Sequence, residues 1–218
     1  MPPDADLERP SAPSPVRDDI TKYVIRDFGL TTFPTGARVL DVGCGEGRHL
    51  RALRLQGCVP VGIDLATEEL VKLHANGFGV VRAVAERLPF KDGSFDGVVC
   101  SVVVPYTDES IAVTEWARVL APGGAVRVSY HGFGYALRQL LRGPGLALRI
   151  YGLRTIINSW VYALTGRRLP GWIGDTIYQS ERRLARYYVR VGFRVIASST
   201  SRTLGWFPVF IYHHLERS

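Results

Sequence analysis

Apolar and polar positions fall in alternating blocks along this chain. From Arg38 onward, short and nearly continuous apolar runs at Arg38–Val42, Val59–Asp64 and Gly97–Val103 are separated by segments whose apolar residues recur at helical spacing. Such runs suit parallel strands covered by helices on both faces. Further strands are expected at Val80–Ala83, Ala125–Tyr130, Phe193–Ser198 and Val209–His213. Helices are expected at Arg48–Gln56, where Leu50, Leu53 and Leu55 precede a capping Gly57, and at Thr67–Asn76, which ends before Gly77. A third is expected at Asp108–Leu120, stopped by Ala121-Pro122-Gly123-Gly124. The alternation predicts an α/β fold: a Rossmann-like, seven-stranded, mostly parallel sheet flanked by helices and joined by right-handed crossovers.

The pattern breaks in two places. Residues 1–17 are rich in Pro, Ser, Ala and Asp and are expected to form a disordered tail ahead of one domain over 18–218. A short helix is expected at Asp18–Leu30. The second break spans 132–178, too long for an ordinary connection. It is aromatic and arginine-rich, with breaks at Gly143-Pro144-Gly145, Gly166 and Pro170-Gly171. It reads as a helical insertion after the fifth strand, either a wall for a substrate or a structural cap.

Charge and cysteine content narrow the picture modestly. The formal net charge is +7, which favours an anionic partner such as nucleic acid, an acidic small molecule or a membrane surface, or simply forms a solvated face. Cys44, Cys58 and Cys100 are not spaced as a metal or redox pair, so no metal is expected. Reduced thiols and a cytoplasmic setting are expected. The N-terminus lacks the apolar segment of a secretory signal. The apolar stretch from Leu146 to Leu164 is interrupted by Arg149 and Arg154, which argues against a membrane span. Peripheral membrane contact stays open, as does the oligomeric state.

The richest chemistry lies in Val39-Leu40-Asp41-Val42-Gly43-Cys44-Gly45-Glu46-Gly47-Arg48. Gly43, Gly45 and Gly47 follow a strand and open a helix, an arrangement that brings backbone N–H groups close to a nucleotide-like ligand. Asp64 closes the second strand, where a carboxylate can accept from ribose hydroxyls. Residue 48 is Arg, so the dinucleotide pattern G-x-G-x-x-G is not met, and no G-K-[ST] follows.

Together with Ala85-Glu86-Arg87-Leu88-Pro89-Phe90-Lys91-Asp92-Gly93-Ser94-Phe95-Asp96 and Leu120-Ala121-Pro122-Gly123-Gly124, these segments resemble the class I S-adenosylmethionine-dependent methyltransferases. The likeness covers roughly Gly36 to Tyr130 and points to the small-molecule group that includes ubiquinone and menaquinone methyltransferases. It implies S-adenosyl-L-methionine as cofactor. Asp41, Gly43, Cys44, Gly45 and Gly47 would hold its amino-acid end, Asp64 the ribose, and Leu65, Ala85 and Glu86 would flank the adenine. Members often carry Asp where this chain has Val84.

Methyl transfer from a sulfonium needs alignment and exclusion of water more than it needs a base. Where a base is needed, His131 and Tyr106, after the fifth and fourth strands, are the catalytic candidates. His131 could equally be a wall residue, and Asp108 could cap the following helix. Tyr130, Phe133, Tyr135, Trp160 and Tyr178 are candidate substrate contacts for an aromatic or lipid-like acceptor. A nucleic-acid methyltransferase is an alternative, made less favourable because Val103-Val104-Pro105-Tyr106 replaces an Asn/Asp-Pro-Pro-Tyr-like segment. A non-catalytic, cofactor-binding regulatory protein is another.

Overall fold

The computed structural model describes residues 29–218, with no side-chain description at 201–203. The expected tail and all but the last two residues of the expected helix at Asp18–Leu30 lie outside the described residues. Gly29 and Leu30 form part of a turn.

Seven strands build one sheet: β1 (Arg38–Val42), β2 (Val59–Asp64), β3 (Gly79–Arg82), β4 (Phe95–Ser101), β5 (Leu120–His131), β6 (Phe193–Leu204) and β7 (Phe207–Arg217). Their order is β3-β2-β1-β4-β5-β7-β6. The first five are parallel, while β7 runs antiparallel to both β5 and β6. The chain steps outward to one side from β1 and to the other from β4. The crevice between the carboxyl ends of these two strands is therefore a topological switch point, where open α/β sheets bind ligands.

Helices α1 (Arg48–Leu55), α2 (Thr67–Ala75) and α3 (Glu109–Val119) are the expected crossovers. Asp108 caps α3, its carboxylate accepting from the backbone N–H groups of Ser110 and Ile111 at 3.0 and 3.1 Å. The insertion supplies α4 (Phe133–Arg142) and α5 (Leu146–Thr165), and α6 (Glu181–Arg190) leads back to the sheet. β5 begins earlier than expected, at Leu120. Its pairing with β4 shifts between Phe95 and Gly97, which accommodates the Pro-Gly-Gly segment.

The main core packs between the sheet and the α3–α6 side, around Trp116, Tyr130, Leu184 and Tyr188. Tyr130 therefore does not line a substrate wall. It is fully buried, its hydroxyl lies 3.1 Å from a ring nitrogen of His213, and the alternation of side chains along β5 sends it to the opposite face from His131.

A buried ion pair closes this side. Arg183 of α6 donates through Nε and Nη2 to both Glu109 oxygens at 2.8 Å, and also to the carbonyl of Tyr178 at 3.0 Å. The inner face of α5 is seated by polar contacts. Asn158 donates to the Thr176 carbonyl at 2.7 Å and accepts from Leu169 N–H at 2.9 Å, while Ser159 Oγ accepts from Tyr178 N–H at 2.9 Å.

Two predictions follow from this packing. Glu109→Ala leaves the Arg183 guanidinium buried without its counter-charge and should cost about 3–5 kcal/mol in urea unfolding. The second concerns His131 and His213. Burial holds the His131 imidazole down at about 4 from an ordinary 6.5, with Arg138 adding to the effect. Burial also lowers His213, against the opposing pull of Glu181. Both groups resist protonation in the folded state, so their contribution to stability is complete above about pH 6.5 and is lost as pH falls towards 4. For His131 this is on the order of 3 kcal/mol. Urea unfolding from pH 7.5 down to 4.5 should show a falling stability whose slope is reduced in His131→Phe, and an unchanged slope would contradict it.

Candidate active site

The glycine turn is built at the carboxyl end of β1. Gly43 and Cys44 both donate to the Ile63 carbonyl, at 2.8 and 2.9 Å, which binds the turn to β2. Gly43, Gly45 and Gly47 all have positive φ, at 74°, 48° and 79°. At two of them a side chain has no room. A Cβ on Gly43 would lie 2.2 Å from Val103, and one on Gly47 would lie 2.3 Å from Leu73. Above Gly45, by contrast, nothing comes within 4 Å, so this glycine borders open space on the crevice side.

Beneath the turn lies Asp41. Its side chain is 0 % exposed, and neither carboxylate oxygen has a hydrogen-bond partner among the described residues. His49 comes nearest, with Nδ1 at 3.5 Å from Oδ1. Arg48 lies 3.1 Å from His49 Nε2. Because a guanidinium only donates, Nε2 accepts and the ring proton resides on Nδ1, facing Asp41. His49 simply follows the motif and carries no local signal of its own. Cys44 is buried beside Asp41 and Asp64. Burial, then these two carboxylates, push its thiol up to about 12, so it stays protonated and serves as packing.

Asp64 is half-buried and already engaged. Oδ2 accepts from Gly45 N–H at 2.8 Å, and Oδ1 accepts from Leu65 and Ala66 N–H at 2.7 and 2.9 Å. It thereby ties the end of β2 to the glycine turn. The N-cap of α2 is Ala66, so Asp64 does not cap that helix. A carboxylate offers about four acceptor positions, which leaves capacity for a ligand hydroxyl. Leu65 is exposed beside it. Ala85 is buried, and Glu86 accepts from Asp108 N–H at 2.9 Å, so this segment is fastened to the start of α3.

The segment after β4 carries backbone strain. Val102 has φ 61°, the sole described non-glycine residue with positive φ. A β-branched residue there is a genuine outlier, of the kind that clusters at ligand sites. Its N–H donates to the Ser129 carbonyl at 2.8 Å. A single 3-10 turn, Val104–Tyr106, follows. Arg168 from the insertion donates to the carbonyls of Pro105 and Thr107, clamping this loop. Tyr106, Thr107, Asp108, Tyr162, Gly166 and Arg168 line an open cavity of about 340 Å³ there. Val102 did not stand out in the sequence, and Arg168 did so only as part of the positive charge of the Arg167-Arg168 pair.

The Tyr106 hydroxyl lies 3.3 Å from that of Tyr151 on α5, and burial followed by this contact raises its pKa, so it is a neutral phenol. His131 stacks flat on Tyr135, with ring centres 3.5 Å apart and planes at 3°. Phe133 meets Tyr178 and Phe207 edge-on at 5.3 and 4.8 Å. The structure thus gathers His131, Phe133, Tyr135 and Tyr178 where α4 leaves the sheet. Trp160 is not with them. It is 61 % exposed on the outer side of α5, because the inner positions of that helix belong to Thr155, Asn158 and Ser159.

This geometry fits S-adenosylmethionine. A buried carboxylate without a hydrogen bond, a glycine with open space above it and a second carboxylate at the next strand end occupy one sheet edge. Comparison with known proteins agrees. The family described as a methyltransferase domain matches residues 40–128. The ubiquinone biosynthesis O-methyltransferase of Xylella fastidiosa (strain 9a5c) is 34 % identical over 124 residues, covering 53 % of this chain and 48 % of that protein. The chain thus spans about half the length of the curated relatives it matches. Among solved structures, an S-adenosylmethionine-dependent methyltransferase from Mesorhizobium loti aligns with TM-score 0.63 at 19 % identity, over 84 % of this chain and 92 % of that one. A second from Listeria monocytogenes has TM-score 0.63 at 14 % identity, over 92 % and 96 %. Motifs, strand order and matches converge: residues 40–128 match the methyltransferase-domain family, and the fold is similar to that of solved S-adenosylmethionine-dependent methyltransferases.

Proposed function

We propose that this chain transfers a methyl group from S-adenosylmethionine to a small hydrophobic acceptor of aromatic or lipid-like character. The observation that carries the reading is the Asp41 carboxylate, buried and without a hydrogen bond under a glycine turn. An unsatisfied buried carboxylate costs the fold several kcal/mol unless a partner arrives, and the ammonium of an amino-acid moiety is such a partner.

When bound, the cofactor supplies an activated sulfonium methyl group for in-line displacement. The chain's own residues hold and exclude. Asp41 and the Gly43–Gly47 turn receive the amino-acid end, Asp64 receives a ribose hydroxyl, and Leu65, Ala85 and Glu86 border the adenine. On the acceptor side, Tyr106 offers a neutral hydroxyl that orients a polar group. His131, Phe133, Tyr135 and Tyr178 form an aromatic wall that keeps water away. Burial leaves His131 a weak base, and a catalytic base works best with a pKa near the working pH. We therefore assign His131 to the wall and leave proton removal to the acceptor's own acidity or to solvent. The Xylella fastidiosa relative is named for O-methylation in ubiquinone biosynthesis, and that likeness supports the acceptor class.

Calorimetric titration with S-adenosylhomocysteine tests the cofactor half of this reading. Asp64→Ala removes an acceptor of the ribose and the tether of Gly45, and should weaken binding by about 1–3 kcal/mol. Equal affinity in wild type and variant would contradict the assignment. Incubation with methyl-labelled cofactor and a panel of hydrophobic phenols tests the transfer half. Label should appear in at least one phenol, and transfer to nucleic acid alone would refute the acceptor class.

A further inference from the structure

The insertion presents a feature that methyl transfer does not need. Along α5, Leu146, Ile150, Leu153, Ile157, Trp160 and Leu164 are each between 42 % and 87 % exposed. Their spacing alternates four and three residues, so at about 100° per residue they fall within an arc of roughly 80°. This stripe lies opposite Gly152, Thr155 and Ser159, which are buried against the protein. The helix is therefore apolar on its outward face over its whole length of about 30 Å.

Charge decides what such a face meets. Between Gly132 and Gly174 the sequence has six arginines and no Asp or Glu. Arg149 and Arg154 flank the stripe on its two sides. Arg154 is held in place by Asp175 at 3.0 Å and lies over the rings of Tyr151 and Trp172 at 5.1 and 5.3 Å. Trp172 is itself exposed. An apolar stripe bordered by arginine and tryptophan is the composition of a helix that lies in a membrane interface. A second copy of the chain would set these arginines against their own kind, with only Asp175, already paired with Arg154, at the segment's edge to meet them. No helix among the described residues is long and apolar enough to cross a membrane.

We infer that the outer face of α5, with the Gly171–Ile173 turn beside it, docks on an anionic lipid bilayer. This goes beyond methyl transfer and gives a hydrophobic acceptor a route into the site. A groove of about 530 Å³ borders the stripe, lined by Ala147, Leu148, Ile150, Tyr151, Arg154 and Trp172. Its Tyr151 reaches the Tyr106 hydroxyl at the loop after β4. The groove thus borders the docked face, and its Tyr151 places it next to the loop after β4.

The test is co-sedimentation of the full chain with vesicles of phosphatidylcholine alone and of equimolar phosphatidylcholine and phosphatidylglycerol. Binding to the anionic vesicles should be at least about tenfold tighter than to the neutral ones and should fall with added salt. Ile157→Glu and Leu164→Glu replace exposed residues and should each weaken it by roughly tenfold or more. Both should keep wild-type affinity for S-adenosylhomocysteine, which shows that they are folded. Absence of binding to anionic vesicles, equal binding to both compositions, or glutamate variants that bind like wild type would each overturn the inference. So would light scattering that shows a dimer dissolved by Ile157→Glu. Vesicle binding that persists in a chain unable to bind S-adenosylhomocysteine would uphold the docking face and refute the proposed transfer instead.

Discussion

A carboxylate without solvent and without a hydrogen bond, at the end of the central strand, is the constraint around which this molecule is organised. Asp41 is held there by pairing on both sides: β1 pairs with β2 over its whole length and with β4 from Val39 to Val42. The strand cannot turn the group outward without breaking two ladders. The next residue but one must be glycine, since Val103 fills the space that a side chain at 43 would need. Asp64 then draws Gly45 towards β2. The stability lost in burying Asp41 is borne by the sheet and its core, and it leaves a site whose polarity and shape exist before any ligand arrives. Such preorganisation suits a reaction that depends on alignment.

The insertion is bound to this sheet edge by polar contacts and faces outward with apolar ones, the reverse of an ordinary surface helix. Asn158 and Ser159 are buried and bonded to the returning chain at Leu169, Thr176 and Tyr178, while leucine, isoleucine and tryptophan face out. Arg168 and Tyr151 link it to the loop after β4. The same segment therefore touches the loop after β4 and presents the exposed stripe.

Much of this was legible in the sequence, and the physical reasons for the remainder are specific. The bounds of β1 and β2 agree with their apolar runs, because both strands are covered on two faces and tolerate few polar residues. β6 ran past its expected end because an edge strand may carry polar residues such as Ser198, Ser199 and Thr200. α6 was hidden by its four arginines, of which Arg183 is buried against Glu109, 74 positions away in sequence. Pairings at that distance leave no local signal. The cofactor motif was readable because it is local: one strand, one turn and one following strand. The proposed acceptor side was not, because its residues come from α4, α5 and the loop after β4. Counting aromatics placed Tyr130 and Trp160 in a wall, whereas strand alternation buries the first and the helix phase exposes the second.

Hydrogen exchange with and without S-adenosylhomocysteine tests the central claim most directly, since it reports where the cofactor lies without assuming any acceptor. The account predicts slowed exchange on binding in three stretches, 43–48, 64–67 and 85–88, with little change along the outer face of α5. Protection confined to other parts of the sheet, or no protection at all at saturating ligand, would contradict it.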